Sequence, residues 1–212
     1  MYTVHLGVLM KNILSIDLSF VMALSVGSYE EWVHSRWKSS SVQWEMISRK
    51  MGDLPKSCPR REKYLLKIFE KALENLVDPK QIVFASHHDD IINHVKDFHE
   101  LIIDNIDHSH DIYYNQWNSP VELNEYNWVW WLDKNHQIDE YNWFGNKNSQ
   151  DYCDYMPLYC EYNKINDRRR HKPTTKPDFI FVCESPSWVP SECRRLYSTM
   201  RALADNYFKN KE

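Results

Sequence analysis

Two apolar segments of the chain each lead directly into a cluster of histidine and aspartate residues. Residues 81–85 precede the cluster at 86–90, and residues 101–106 precede the cluster at 107–111. Six of the ten histidines lie between positions 87 and 110. Short apolar runs of this kind are typical of buried strands, and α/β enzymes keep their chemistry at strand ends. The pattern therefore predicts a sheet with a polar site along one edge.

The order of the predicted elements favours an α/β fold with a mainly parallel sheet. Strand composition is found in four segments, at residues 12–20, 81–85, 101–106 and 178–183. Helical periodicity separates them, in an amphipathic helix from Pro59 to about residue 78 and in a second helix over residues 89–98. A β-α-β order of this kind needs crossover connections, which join parallel strands.

Other segments have weaker patterns. Residues 29–51 carry apolar side chains at loosely helical spacing, and residues 124–132 predict a short helix rich in tryptophan. Residues 138–144 are expected to be extended. The polar stretch 146–176 is expected to be an exposed loop excursion. Near the end of the chain, Ser191 is expected to cap a terminal helix.

The composition is that of one globular domain. The chain has 212 residues, of which 42% are hydrophobic and 26% are charged, so it can bury a core unaided. We predict a single domain over residues 1–212. Met10 offers an alternative start just before the first strand, which would make residues 1–9 an N-terminal extension.

Charge and cysteine content limit the partners and the cellular compartment that are expected. With 26 basic and 30 acidic residues the net charge is −4, so no overall positive field attracts nucleic acid, which is not expected as a partner. The five cysteines include no Cys-x-x-Cys pair, which favours a reducing cytoplasm. Lys11 and Asp17 interrupt the apolar stretch 4–24, so no membrane segment is expected there.

The cluster at 107–111 is the leading candidate for a metal site. Side chains alternate on an extended segment, so Asp107, Ser109 and Asp111 are expected on one side. His108 and His110 are then expected on the other side. Two carboxylates so placed suit Mg²⁺ or Mn²⁺, which prefer oxygen ligands with some imidazole, and manganese is the first choice. The alternative is a solvated polar loop.

Asp17 and the first histidine cluster can contribute to the same site. Asp17 lies within an apolar run, where an isolated carboxylate is strongly desolvated unless it is paired or bound to metal. Backbone N–H groups or a neighbouring arginine could satisfy it instead. Either His87 or His88 could supply an imidazole, with Asp89 capping the next helix or orienting the ring.

Two short motifs carry a resemblance to a known family. Residues 15–19, Ser-x-Asp-x-Ser, resemble the Ser-x-Asp-x-Asp motif of ureohydrolases, the relatives of arginase and agmatinase. Residues 107–111, Asp-x-Ser-x-Asp, resemble their Asp-x-His-x-Asp motif. The order of the motifs along the chain is similar to that of the peptide-arginase branch. The segments that carry the resemblance are residues 12–22, 81–111 and 178–190.

The resemblance implies a three-layer α-β-α fold and a binuclear manganese centre. In that family a bridging hydroxide attacks a guanidinium carbon and urea is released. By position, the resemblance makes Asp17, Asp107 and Asp111 metal ligands, with His87 or His88 completing the shell. It also implies catalytic roles for His88 and Asp111.

The motifs depart from the family at two positions. Ser19 stands where the family has a carboxylate, and Ser109 stands where it has an imidazole. His108 or His110 could replace the missing imidazole if the strand end twists or bulges. The sequence therefore leaves open whether one or two ions bind. In the turn after the last strand, Glu184 and Ser185 are the candidate substrate-binding residues.

Three functions follow as hypotheses. The first is a metal-dependent hydrolase acting on a peptide or a small guanidinium compound, such as a peptidyl arginine. The second is an inactive descendant that holds a protein partner through the tryptophans at 128–131 or the basic run at 168–172. The third is a DHH-type manganese phosphoesterase, built on Asp17 and the Asp107-His108 pair, although Ser109 replaces the second adjacent histidine of that motif.

Overall fold

The structure is a computed structural model. It describes residues 11–23, 40–51, 56–109, 111–112, 122–125, 127–146, 149, 165–167, 172–174 and 176–211. The predictions for residues 1–9 and 29–39, for His110 and for most of the stretch 146–176 concern residues outside this set.

Six parallel strands form one sheet, and the predicted parallel α/β arrangement is confirmed. The strands are β1 (Asn12–Asp17), β2 (Ile82–Ala85), β3 (Leu101–Ile106), β4 (Ile138–Trp143), β5 (Ile165–Asp167) and β6 (Phe179–Cys183). Their order is β2-β6-β1-β3-β4-β5. Since β5 pairs with β4, the excursion predicted over 146–176 includes an edge strand at residues 165–167.

The strand order places a crevice beside β1. From β1 the chain goes to β2 on one side of the sheet and then to β3 on the other side. Connections that leave in opposite directions open a crevice at the carboxyl ends of the strands, where parallel sheets bind ligands. The residues that follow β1, β2 and β3 therefore meet at one edge.

Five helices are described, some with bounds that differ from those predicted. They are α1 (Ser40–Met51), α2 (Pro59–Leu73), α3 (Ile92–Val95), α4 (Trp128–Lys134) and α5 (Arg195–Lys209). The helix predicted over 89–98 is shorter, because a 3-10 turn at His88–Ile91 precedes the single α turn of α3. Ser191 does not cap α5. It opens a separate 3-10 turn, and Arg194 is the residue before the helix.

Helices cover both faces of the sheet. Leu14 and Ile16 of β1 pack in one apolar cluster with α2 and α5, and Ile13 packs in a second cluster with α3 and α4. This alternation places Ser15 and Asp17 on the same side of β1 as α3 and α4. Among the residues that the structure describes, no helix is long and apolar enough to cross a membrane.

Candidate metal centre

Three strands deliver acidic and imidazole groups to one point at the carboxyl edge of the sheet. Asp17 is the last residue of β1, and Asp107 directly follows β3. His88 begins the 3-10 turn that follows β2. Asp111 comes four positions after Asp107 and has a φ of 55°, a left-handed conformation that aspartate tolerates better than most residues.

The three carboxylates surround the Nδ1 atom of His88. This nitrogen lies 3.3 Å from Asp17 Oδ2, 3.3 Å from Asp107 Oδ2 and 3.0 Å from Asp111 Oδ2. All four residues are at most 3% exposed. Nδ1 nevertheless makes no hydrogen bond. These contacts are ion pairs when His88 is protonated, and a divalent ion could take the place of that proton among the same groups.

The His88 ring is held in this orientation from its other side. Its Nε2 lies 2.7 Å from Ser15 Oγ, within hydrogen-bond distance. The ring also stacks on Phe181, at 5.9 Å between centroids, and contacts Trp128 at 4.8 Å. If Nε2 carries the proton and donates it to Ser15, the Nδ1 lone pair is free for a cation. Fixing the tautomer through the distal nitrogen is a common arrangement for metal-binding histidines.

Hydrogen-bond donors position the carboxylates. Asp17 Oδ1 accepts the Ser19 backbone N–H at 2.7 Å, and Asp107 Oδ1 accepts the Ser19 hydroxyl at 2.6 Å. The indole N–H of Trp128 donates to Asp111 Oδ2 at 2.7 Å. Ser19 therefore links two of the acids directly, although it is the residue that departs from the ureohydrolase motif.

The charges of the cluster favour the binding of a divalent cation. Burial raises the pKa of Asp107, and the neighbouring charge of Asp111 raises it further. Burial alone would lower the pKa of His88, but Asp111, Asp107 and Asp17 outweigh burial and raise that pKa well above its usual value. The raised pKa of Asp107 shows repulsion between neighbouring carboxylates, and the raised pKa of His88 shows that these carboxylates favour a positive charge at their centre, which a divalent ion would also supply.

The geometry fits a metal ion. Ligand atoms of Asp17, His88 and Asp107 all lie within 4.8 Å of one another. Together with the unbonded Nδ1, this spacing means that the buried Asp-His-Asp group can bind a metal ion. The predicted convergence of Asp17 and Asp107 is thus found in the structure.

A small cavity of about 10 Å³ lies over this group, which is room for about one water molecule. All of its described wall residues except Trp188 carry polar or charged side chains, and they are Asp17, Ser19, His88, Asp107, His108, Ser109, Asp111, Glu125 and Trp188. None of these described wall residues is lysine or arginine. Apart from His88, whose pKa is raised, the described wall residues are therefore anionic or neutral.

Glu125 is a wall residue that the sequence analysis did not identify. Its Oε1 lies 3.4 Å from His87 Nδ1, and its Oε2 is buried without a hydrogen-bond partner. Burial raises the pKa of Glu125 to about 7, and Asp17 contributes in the same direction. No motif surrounds Glu125 in the sequence, so only the fold reveals its position.

The structure decides between His87 and His88, and it places His108 differently from the sequence prediction. His88 faces the carboxylates, whereas His87 has a side chain that is 52% exposed and lies beside Glu125. Asp107, Ser109 and Asp111 line one cavity, but the prediction that His108 lies on the opposite side was wrong, since His108 lines the cavity as well. The reason is that β3 ends at Ile106 and the chain bends from Asp107 onward.

His108 is buried in the cavity wall as a neutral group. Its Nδ1 lies 3.1 Å from Asn146 Nδ2 and 3.4 Å from Ser149 Oγ. Burial lowers the pKa of His108 to about 4. His110, the other histidine of that cluster, lies outside the described residues.

The turn after β6 reaches the cavity through Trp188. The candidate substrate-binding residues Glu184 and Ser185 are not among the described wall residues. Glu184 Oε1 lies 3.4 Å from Arg194 Nη1, and Ser185 has a φ of 55° with its buried hydroxyl unpartnered. This strained turn positions Trp188 three residues later, where its side chain closes one side of the cavity.

Comparison of the chain with models of protein families, with curated proteins and with solved structures gave no match in any of the three. The class of protein is therefore defined by its own fold and site. It is an α/β protein whose parallel sheet carries, at the carboxyl ends of β1, β2 and β3, a buried Asp-His-Asp group that can bind a metal ion.

Proposed function

We propose that this protein is a manganese-dependent hydrolase that cleaves the C–N bond of a guanidinium group, such as that of a peptidyl arginine. One observation carries the proposal. The carboxylates of Asp17, Asp107 and Asp111 meet the unbonded Nδ1 of His88 at the floor of a cavity. The resemblance of residues 15–19 and 107–111 to ureohydrolase motifs supplies the reaction.

The donor atoms favour manganese over zinc. Three carboxylate oxygens and one imidazole nitrogen form a mainly oxygen site, which suits Mn²⁺ or Mg²⁺, whereas zinc sites more often use nitrogen and sulfur. Imidazole is accepted more readily by Mn²⁺ than by Mg²⁺, which keeps mostly water and carboxylate ligands. When bound, the ion would supply the positive charge that lowers the pKa of a water molecule.

The charge of the cavity supports a cationic substrate. Four carboxylates line it, those of Asp17, Asp107, Asp111 and Glu125, and no lysine or arginine does so among the described wall residues. A guanidinium group would be attracted to this surface, whereas a phosphodiester would be repelled by it. This contrast favours guanidinium hydrolysis over the phosphoesterase alternative.

The proposed reaction adds water across one C–N bond. The water oxygen bonds to the guanidinium carbon, the bond from that carbon to the substituted nitrogen breaks, and this nitrogen leaves as an amine after taking a proton. The other product is urea. Glu125 stands at the cavity wall with a pKa of about 7, which suits a group that takes the water proton and returns it to the leaving amine near neutral pH.

The test is urea release from an arginine-containing peptide by the purified full chain with Mn²⁺, with free arginine and agmatine assayed in parallel. We expect urea with Mn²⁺ and none in excess EDTA. The Asp17→Ala, Asp107→Ala double variant should release none. Asp104→Asn is the matched control, because Asp104 is a buried carboxylate of β3 outside the cavity.

Failure of the test has two distinct forms. Protein that binds Mn²⁺ but releases no urea from any of the three compounds would contradict the hydrolase. It would favour the second hypothesis, an inactive protein that holds a protein partner. That alternative has an observation in its favour, since Ser19 and Ser109 replace two ligands of the family motif. Turnover of a chromogenic phosphodiester in place of the guanidinium compounds would favour the phosphoesterase.

A further inference from the structure

We infer that the centre holds one divalent ion and not a pair, with Asp17, Asp107 and His88 each giving one atom and Asp111 lying beside them. The inference rests on the proposed function for the presence of the ion, and it departs from the binuclear centre that the family resemblance implies. The oxygens that face away from His88 leave little room for a second ion.

Those outward oxygens are already occupied on two of the three acids. Asp107 Oδ1 accepts two hydrogen bonds, from the Ser19 hydroxyl at 2.6 Å and from the Ser109 backbone N–H at 3.2 Å. Asp17 Oδ1 accepts the Ser19 backbone N–H at 2.7 Å. A carboxylate bridges two cations only when both of its oxygens are available. Here a second ion would have to displace buried hydrogen bonds, which is costly.

Two of these donors cannot turn away. The N–H groups of Ser19 and Ser109 belong to the backbone just after β1 and β3, so their direction is set by the chain. The Ser19 backbone is further fixed by the 3-10 turn Leu18–Val21, for which Asp17 is the N-cap. The sequence change at position 19 therefore does more than remove a ligand. It adds a hydroxyl donor that uses the lone pair of Asp107 that a second cation would need.

The remaining groups do not form a second site. Of the residues in the described ranges, Asp17, His88 and Asp107 are the one set of three whose ligand atoms lie within 4.8 Å of one another. The Nδ1 of His108, which is next to Ser109 in the sequence, lies 3.1 Å from the Asn146 amide nitrogen. Glu125 is directed toward His87 instead.

A single ion also has a chemical consequence. One divalent charge leaves three carboxylates with a net negative charge, whereas two ions would make the same centre positive. The negative remainder, together with Glu125, suits a cationic substrate. A one-ion centre therefore agrees better with guanidinium binding at this site than a pair of ions would.

The experiment counts ions on the full chain. The wild-type protein is saturated with Mn²⁺, freed of excess metal, and measured by elemental analysis and by electron paramagnetic resonance. We expect one Mn²⁺ per chain with the hyperfine pattern of an isolated ion. The Ser19→Asp, Ser109→His double variant is expected to take up a second ion and to show the exchange-coupled spectrum of a pair. Ser191→Asp, a new carboxylate on an exposed serine, is expected to bind one.

The outcomes separate the inference from the proposed function. Two ions on the wild-type chain, with coupled spectra, would overturn the inference and leave the hydrolase proposal standing. No bound ion would overturn both. One ion on the wild-type chain without urea release would support the inference and contradict the hydrolase. Should the double variant fail to fold, the wild-type count still decides.

Discussion

The carboxylates at the two ends of the sheet differ in what their oxygens contact. At the amino end, Asp178 Oδ2 accepts the backbone N–H of Lys11 at 3.1 Å and that of Asn12 at 2.8 Å, and it also accepts the Asn12 side chain at 3.2 Å. At the carboxyl end, the Oδ2 atoms of Asp17 and Asp107 face a nitrogen with which they make no hydrogen bond. The same kind of side chain is bound by backbone donors at one end and faces a histidine ring nitrogen at the other.

A second comparison lies within β3 itself. Asp104 is buried, yet its oxygens accept the Asn142 side-chain amide at 2.9 Å and the Thr174 backbone N–H. Asp107, three residues later, shares its surroundings with two more acids. Burial of a carboxylate is therefore not what marks the site. The site is marked instead by several acids that face one ring nitrogen, where a divalent ion could take the place of the His88 proton.

The largest effect on Mn²⁺ affinity is expected when these two acids are substituted one at a time. Asp107→Ala should lower Mn²⁺ affinity by more than the roughly 10–100-fold that loss of an outer partner costs. Asp104→Asn should leave Mn²⁺ affinity unchanged while lowering the free energy of unfolding by about 1–3 kcal/mol, because the amide keeps one acceptor oxygen and leaves the other donor facing an NH2 group. Calorimetric titration and denaturant unfolding measure the two quantities. If both variants lost Mn²⁺ affinity equally, the claim that Asp107 and not Asp104 belongs to the metal site would be contradicted.

A smaller effect should follow from removing one outer donor. Trp128→Phe keeps a ring in the core but removes the N–H that holds Asp111 Oδ2. We expect Mn²⁺ affinity to fall by about 10–100-fold. Trp130→Phe, on the same helix and outside the cavity wall, is the matched control and should bind as the wild type does. Identical affinities for both variants would contradict the role assigned to Trp128.

The smallest effect concerns Glu125 and pH in the metal-free protein. Burial raises its pKa from 4.5 to about 7, so the folded chain holds a proton that the unfolded chain has lost. The contribution of Glu125 to the free energy of unfolding is thus full below pH 4.5 and is lost as the pH rises to about 7. Glu125→Gln should flatten this dependence, measured by unfolding across that range. The exposed variant Glu192→Gln should not, and an unchanged slope in Glu125→Gln would contradict the assignment.

Much of the sheet could be predicted from local pattern. The strands β1, β3 and β6 are short, apolar and β-branched, and their order with the intervening helix predicted parallel pairing. Asp17 and Asp107 were predicted as partners because parallel strands bring their carboxyl ends to one edge. The extent of the excursion over 146–176 was harder, since a three-residue edge strand such as β5 has too little pattern of its own.

The details of the site depend on turns that sequence does not specify. His87 and His88 are adjacent, and the 3-10 turn beginning at His88 decides which ring faces the acids. The alternation expected over 107–111 assumed an extended chain, but the backbone bends and reaches a φ of 55° at Asp111. Glu125 lies far along the chain from the other acids and has no neighbouring motif. Only the tertiary fold brings it to the cavity.

The central claim is that the three acids and His88 bind a cation, and calorimetric titration of metal-free protein with Mn²⁺ tests it most directly. The account predicts saturable binding by the wild-type chain and its loss in the Asp17→Ala, Asp107→Ala double variant. It also predicts a gain in the free energy of unfolding of about 2.7 kcal/mol when free Mn²⁺ is 100 times the Kd. A wild-type chain that binds no more Mn²⁺ than the double variant would contradict the account.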